Sequence, residues 1–223
     1  MIILIYITGD THADIERLYD KSLRKLKKDD YLIICGDFGF IWDDDKKDQK
    51  RIKKLSKLKF NILFVDGTHE NFDLLEKYKI VPFADSQARM ISENIYHLLR
   101  GKIYSIENKN IFTFGGGESL DKEMKISQNK WWPQELPTID ELKSSVSELE
   151  KFNRQVDYVV SHEPPSKIKT LINKNSNINT LNRFFDDVAK EVKFKKWFFG
   201  STHVNKAFVD KYVSLFDEIY KLD

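Results

Sequence analysis

Residues 2–7 of this chain read IILIYI, an unbroken apolar run that stops at Gly9 and is followed at once by Asp10 and His12. A run with no polar alternation marks a strand covered on both faces, so the fold must supply a layer on each side of it. The pattern returns along the chain. Residues 31–35 (YLIIC) precede Gly36-Asp37, and residues 61–65 (NILFV) precede Asp66-Gly67. Residues 156–160 (VDYVV) precede Ser161-His162, and residues 196–199 (KWFF) precede Gly200-Ser201-Thr202-His203. Each buried strand thus ends on a small residue and a side chain able to bind a cation.

The intervening segments predict helices. Residues 13–26 place Ile15, Leu18, Leu23 and Leu26 among charges, and residues 46–58 place Ile52, Leu55 and Leu58 on one side behind a cap from residues 43–45. A further helix is expected over residues 68–78. Strand alternating with helix argues a largely parallel sheet. From residue 95 the rhythm changes: short strands over 95–99, 102–106 and 111–114 are separated by Arg100-Gly101 and Asn108-Lys109-Asn110, which read as hairpins, with Gly115-Gly116-Gly117 at the exit. Thr138 followed by Glu141 forms a capping box for a helix with Leu142, Val146 and Leu149 on one stripe. Residues 167–173 and 181–192 are helical in pattern, and 207–209, 213–216 and 219–222 are expected as antiparallel strands that finish the sheet.

A chain of 223 residues is long enough for one good core, and residues 1–223 are expected to form a single domain. Hydrophobic residues make up 41% and Pro and Gly are few, which excludes general disorder. The net charge of +2 selects no polyanion, and without a dense basic stripe a long duplex nucleic acid is not the expected partner. A lone cysteine, Cys35, cannot form an internal disulfide, and no stretch reaches membrane length, so a cytoplasmic protein without a membrane partner is expected. Oligomerisation is left open.

Four of the five histidines, His12, His69, His162 and His203, fall just past a strand end; His97 instead lies inside an apolar run and reads as a core residue. Asp10 and Asp37 occupy the same kind of position. In open α/β sheets the loops beyond the carboxyl ends of strands are where ligands gather. Carboxylates, imidazoles and close-approach glycines converging there are what a metal-dependent phosphoesterase requires.

The segments GDTH (9–12), GDFG (36–39), GTHE (67–70), SHEPP (161–165) and GSTH (200–203) resemble, in order and spacing, the motifs of the calcineurin-like metallophosphoesterase family. The stretches GTHENF, FGGGES and WWPQELP resemble a small bacterial and phage-associated branch of it. The resemblance covers nearly the whole chain. It implies an α/β fold of two mixed β-sheets packed as a sandwich and flanked by helices, and hydrolysis of a phosphoester (on a phosphoprotein, a small molecule or a nucleotide) by metal-activated water.

By position, the resemblance implies a first metal held by Asp10, His12, Asp37 and His203, with Asp37 bridging to a second metal. The second set would be Asp37, Thr68, His162 and Ser201, where Thr68 and Ser201 replace the family's Asn and His. Hydroxyls are poor substitutes for these donors, so one tight divalent cation is expected (Mn2+, or Fe, Zn2+ or Mg2+) with a second site weak or absent. His69 matches the family's non-ligand histidine, which serves the leaving group, and Glu70 is expected to pair with its ring. The alternative is a weakened or inactive member acting as a binding or regulatory protein. Arg100 and Lys122 are possible phosphate contacts, and Trp131 and Trp132 either cap a pocket or pack a loop.

Overall fold

The computed structural model describes residues 2–209 and 211–223. Strands β1 (Ile5–Thr8), β2 (Tyr31–Ile34) and β3 (Asn61–Phe64) lie parallel and in register, Ile7 beside Ile33 and Ile33 beside Leu63. Helix α1 (Lys46–Leu55) and the single turn α2 (Phe72–Leu75) follow β2 and β3. The chain then forms β4 (Ile80–Phe83), β5 (Ser86–Ser92) and β6 (Ile95–Leu98), and crosses into a second sheet through β7 (Lys102–Ile106) and β8 (Lys109–Phe114). Helices α3 (Lys122–Ser127) and α4 (Ile139–Lys151) lead to β9 (Tyr158–Ser161), and α5 (Ser166–Ile172) and α6 (Thr180–Glu191) lead to β10 (Lys196–Phe199). Three short strands close the chain: β11 (Lys206–Phe208), β12 (Tyr212–Ser214) and β13 (Ile219–Lys221).

The strand orders are β13-β1-β2-β3-β6-β5-β4 and β11-β12-β10-β9-β8-β7, each mixing parallel and antiparallel pairs. Between the sheets lies a core of Ile5, Ile7, Ile33, Leu63, Tyr104, Val160 and Phe198. The intervening positions face outward: Tyr6, Leu32 and Phe64 bury under one flanking layer, while Trp197 and Phe199 bury under α6 through Phe185. Both faces of each central strand are therefore apolar, which is why the strands read as continuous runs.

Several expectations are corrected. The helix expected over residues 13–26 is two 3-10 turns, Ile15–Tyr19 and Lys21–Leu23. Asp20 interrupts it with an extended ψ of 147°, its carboxylate accepting from the Ser22 N–H and starting a new turn. The helix over 68–78 is confined to Phe72–Leu75: Thr68 and His69 lie before it with their N–H groups on Asp37, and Asn71 caps its start. Arg100-Gly101 is no hairpin but the crossover between sheets, with β6 parallel to β3 and β7 antiparallel to β8. The tight turn of β7–β8 falls at Glu107-Asn108, both at positive φ. The hairpin β4–β5 gave no sequence signal: it is an edge element carrying Pro82 and half-exposed residues. The last three strands do not finish one sheet; β13 joins β1 antiparallel in the first sheet, and β12 runs parallel to β10 in the second.

Candidate metal centre

The carboxyl ends of β1, β2 and β10 bring Asp10, His12, Asp37 and His203 together, with one donor atom of each within 4.8 Å of the others. His12 Nε2 lies 3.0 Å from His203 Nε2 and 3.8 Å from Asp37 Oδ2, and His203 Nε2 lies 3.0 Å from Asp10 Oδ2. Asp10 is fully buried, yet neither of its carboxylate oxygens has a well-aligned hydrogen-bond donor. A buried carboxylate whose hydrogen bonds are left unmade is costly, and a cation bonding at about 2.0–2.3 Å to this mixed nitrogen and oxygen set offsets the cost. The residues fit a divalent metal. They form the one such cluster found among the described residues.

The surrounding backbone is shaped for close approach. His12, Asp37 and His203 have φ of 45°, 46° and 51°, left-handed values that cost non-glycine residues energy and collect at functional sites. The Thr11 and His12 N–H groups both donate to the Asp37 carbonyl, which ties the first two motif loops together. A Cβ on Gly200 would stand 1.8 Å from Asp10 Oδ1, and one on Gly67 would stand 2.1 Å from Asp37 Oδ1. These motif glycines are required because the carboxylates occupy the side-chain space.

Burial lowers the pKa of His12, partly offset by Asp37 and Asp10. The Asp10 carboxylate, 3.0 Å from the ring, raises that of His203. Burial alone would raise the Asp37 carboxyl, but His162, His69 and His12 outweigh it and hold the group well below the usual carboxylate range.

Thr68, His162 and Ser201, the positions expected at a second metal, line with Asp37, His69 and His203 a cavity of about 700 Å³. Among the described residues no second cluster of His, Cys, Asp or Glu ligands forms around them. The Thr68 hydroxyl is 3.3 Å from His69 Nδ1, and the buried Ser201 hydroxyl has no partner. His162 turns toward the first cluster, with Nδ1 3.1 Å from the Cys35 carbonyl and 3.4 Å from Asp10 Oδ1, and Nε2 3.7 Å from Asp37 Oδ1. Burial would lower its pKa, but with no cation bound Asp37 and Asp10 overcome that and push it up to about 10. Gly117 packs against Thr68, Glu163 and His162, which places the end of the glycine run beside the site.

His69 is half-exposed, and its Nδ1 lies 2.9 Å from Asp37 Oδ2. The expected pairing of Glu70 with this ring is not present. Glu70 is fully buried and accepts from the N–H groups of Phe38 at 2.7 Å and Gly39 at 3.4 Å, so it braces the loop that carries Asp37. Burial, reinforced by the Asp37 charge, pushes its carboxyl well above the ordinary value. Of the tryptophans, Trp132 packs edge-on against Trp42 and donates from Nε1 to Asp73, while Trp131 sits under the Lys122 ammonium. Lys122 is thereby engaged away from the cluster.

Three basic groups support the site, each in a role set by its tertiary partners. Arg17 donates to the carbonyls of Asp10 and Phe216, clamping the first loop to the connection between β12 and β13. Arg100 is buried and pairs through Nε and Nη2 with Asp66, at 2.9 and 2.5 Å, rather than offering a free phosphate contact. The second oxygen of Asp66 lies 3.1 Å from His97 Nε2, which makes His97 a core residue with a carboxylate partner. Lys125 is also buried, beside Thr68. Arg17 and Lys125 were two basic residues among 37 and became visible only through their neighbours.

The family model described as calcineurin-like phosphoesterase matches residues 3–205. An uncharacterized protein of Acanthamoeba polyphaga mimivirus is 25% identical over 247 residues, covering 94% of this chain and 87% of the viral one. Among solved structures, this chain is similar to a protein of unknown function from Aquifex aeolicus at 18% identity, covering 84% of this chain and 94% of the other, with a TM-score of 0.38. It is also similar to the phosphopantetheinyl hydrolase of Mycobacterium tuberculosis at 12% identity, covering 96% and 89%, with a TM-score of 0.46. With two mixed sheets, a clustered ligand set at their strand ends and a family match over nearly all of its length, this chain belongs to the calcineurin-like phosphoesterase family.

Proposed function

We propose that this chain hydrolyses a phosphoester at the Asp10–His12–Asp37–His203 centre. The observation that carries the reading is the buried Asp10 carboxylate, without a well-aligned hydrogen-bond donor among the imidazole nitrogens around it, set beside a cavity that His69 lines. A divalent cation bound there supplies Lewis acidity toward a phosphoryl oxygen and the attacking water. The mixed nitrogen and oxygen donors suit Mn2+, Fe or Zn2+ better than Mg2+. With Nδ1 on Asp37, His69 keeps Nε2 for the substrate, where it donates a proton to the departing oxygen. His162, 3.4 Å from Asp10 Oδ1 and 3.7 Å from Asp37 Oδ1, holds the two aspartates in place beside the cavity. The substrate is a phosphorylated small molecule, a nucleotide or a phosphoprotein. The buried thiol of Cys35 suits a reducing compartment such as the cytoplasm, and among the described residues no helix is long and apolar enough to cross a membrane.

A second reading, a ligand-binding protein without turnover, draws on Thr68 and Ser201 and on the single cluster. The deciding experiment is hydrolysis of an aryl phosphate monoester and diester by protein freed of metal and reloaded with Mn2+. Turnover well above an Asp37→Ala control supports hydrolysis. Turnover equal to that control supports the second reading.

A further inference from the structure

Lys125 projects from α3 into the protein and is only 4% exposed. Its Nζ donates to the Thr68 carbonyl at 2.8 Å and to Ser119 Oγ at 2.7 Å, with the carboxylates of Glu135 at 3.6 Å and Asp121 at 3.8 Å. Glu135 is buried too, and accepts from the Ser119 N–H and hydroxyl. Long charged side chains are seldom placed this deep, and a buried pair of this kind adds little net stability over a well-packed apolar pair.

The geometry gives the lysine another role. The Thr68 carbonyl and the His69 N–H belong to one peptide group. The carbonyl end faces the Lys125 ammonium, and the N–H end donates to Asp37 Oδ1 at 2.7 Å. The preceding N–H, of Thr68, donates to the same oxygen at 2.6 Å. The ammonium polarises the shared peptide and strengthens its donation to the carboxylate. Pinning Oδ1 leaves Oδ2 as the Asp37 oxygen that faces His12 and His69.

We infer that Lys125 is a positioning residue for the metal centre, orienting the Thr68–His69 peptide that holds Asp37. The role extends to His69, whose backbone belongs to that peptide, and to the 118–121 segment, which lines the cavity and is tied to Lys125 through Ser119 and Asp121. The inference rests on the metal reading of the cluster for its effect on affinity, but not for its effect on the peptide.

Two readouts test it. Lys125→Met alone would strand the buried Glu135 charge and risk unfolding, so the informative variant is K125M/E135Q, with E135Q as the control. Calorimetric titration of metal-free protein with Mn2+ should show affinity for the double variant lowered by about 10–100-fold, the range for removing a group that orients a ligand, while E135Q stays within about threefold of the parent. Amide hydrogen exchange in the metal-free proteins should show Thr68 and His69 exchanging at least ~10-fold faster in the double variant, with the β1 and β2 amides unchanged. Unchanged protection at both amides overturns the inference. So does an unaltered Mn2+ affinity where the parent binds Mn2+. If the parent binds no Mn2+, the metal reading fails, and selective loss of protection at the two amides still supports the positioning role.

Discussion

The Nε2 atoms of His12 and His203 face each other at 3.0 Å, beside the buried Asp10 carboxylate. Two ring nitrogens this close require a proton or a cation between them, since paired lone pairs repel. A cation that binds only the folded state adds about 2.7 kcal/mol when free ligand is a hundredfold above Kd, and ~1 kcal/mol moves the Tm of a chain this size by about 2–4 °C. Saturating Mn2+ should therefore raise the Tm by roughly 5–10 °C in a thermal melt, and His203→Ala should abolish most of the rise. An unshifted parent protein would remove the cluster as a cation site.

In the metal-free state the same neighbourhood should be sensitive to alkali. The His162 pKa, about 10 when folded, stands above its ordinary 6.5, so the folded chain holds this proton more tightly than the unfolded one. That stabilisation is whole below about pH 6.5 and fades as pH climbs toward 10, with His203 shifted in the same direction. Urea midpoints of the chelated protein at pH 6, 8 and 9.5 should fall along this series, and His162→Asn should flatten the fall. Identical slopes for the two proteins would show that the ring carries no such linkage.

These expectations start from features partly visible in the chain. The apolar runs ending in Gly-Asp-Thr-His, Gly-Asp and Gly-Ser-Thr-His announced β1, β2 and β10 and their ligands, because strands buried on both faces leave a continuous hydrophobic record. What stayed hidden was set by tertiary partners. Residues 13–26 have a helical period, but Asp20 restarts the turn through its own side chain. Arg100-Gly101 has the composition of a hairpin, yet the pull of Asp66 on Arg100 and the packing of Gly101 against Ser145 make it a crossover. Glu70 stands next to His69 in sequence, but its carboxylate turns to the Phe38 N–H across the fold. Local pattern records burial; it does not record which distant atom satisfies a buried charge.

The Asp66–Arg100 pair should be the most consequential ion pair for stability. Burial would raise the Asp66 carboxyl, but Arg100 and then His97 more than compensate and hold it well below the usual range. Its stabilisation is therefore present above about pH 4, the ordinary value for an aspartate, and is lost as pH falls below that. Arg100→Met should cost about 3–5 kcal/mol at pH 7 by stranding a buried carboxylate, whereas D66N/R100M should recover most of it. Chemical denaturation of the three proteins measures this, and a single variant within ~1 kcal/mol of the parent would show that the pair is dispensable.

His69 should separate binding from chemistry. Its Nδ1 is engaged by Asp37 Oδ2, and its ring is half-exposed in the cavity, where Nε2 can reach a leaving oxygen. Proton donation matters most when the leaving group is basic, and general-acid catalysis contributes about 10²–10⁴-fold. His69→Gln should thus slow phenyl phosphate hydrolysis by ~100-fold or more. 4-Nitrophenyl phosphate, whose leaving group needs little help, should suffer far less. Mn2+ affinity should stay within about threefold of the parent, because the glutamine side chain can still hydrogen-bond Asp37. Equal losses on both esters would assign His69 to phosphoryl binding instead, and a collapse of metal affinity would make it part of the cation site.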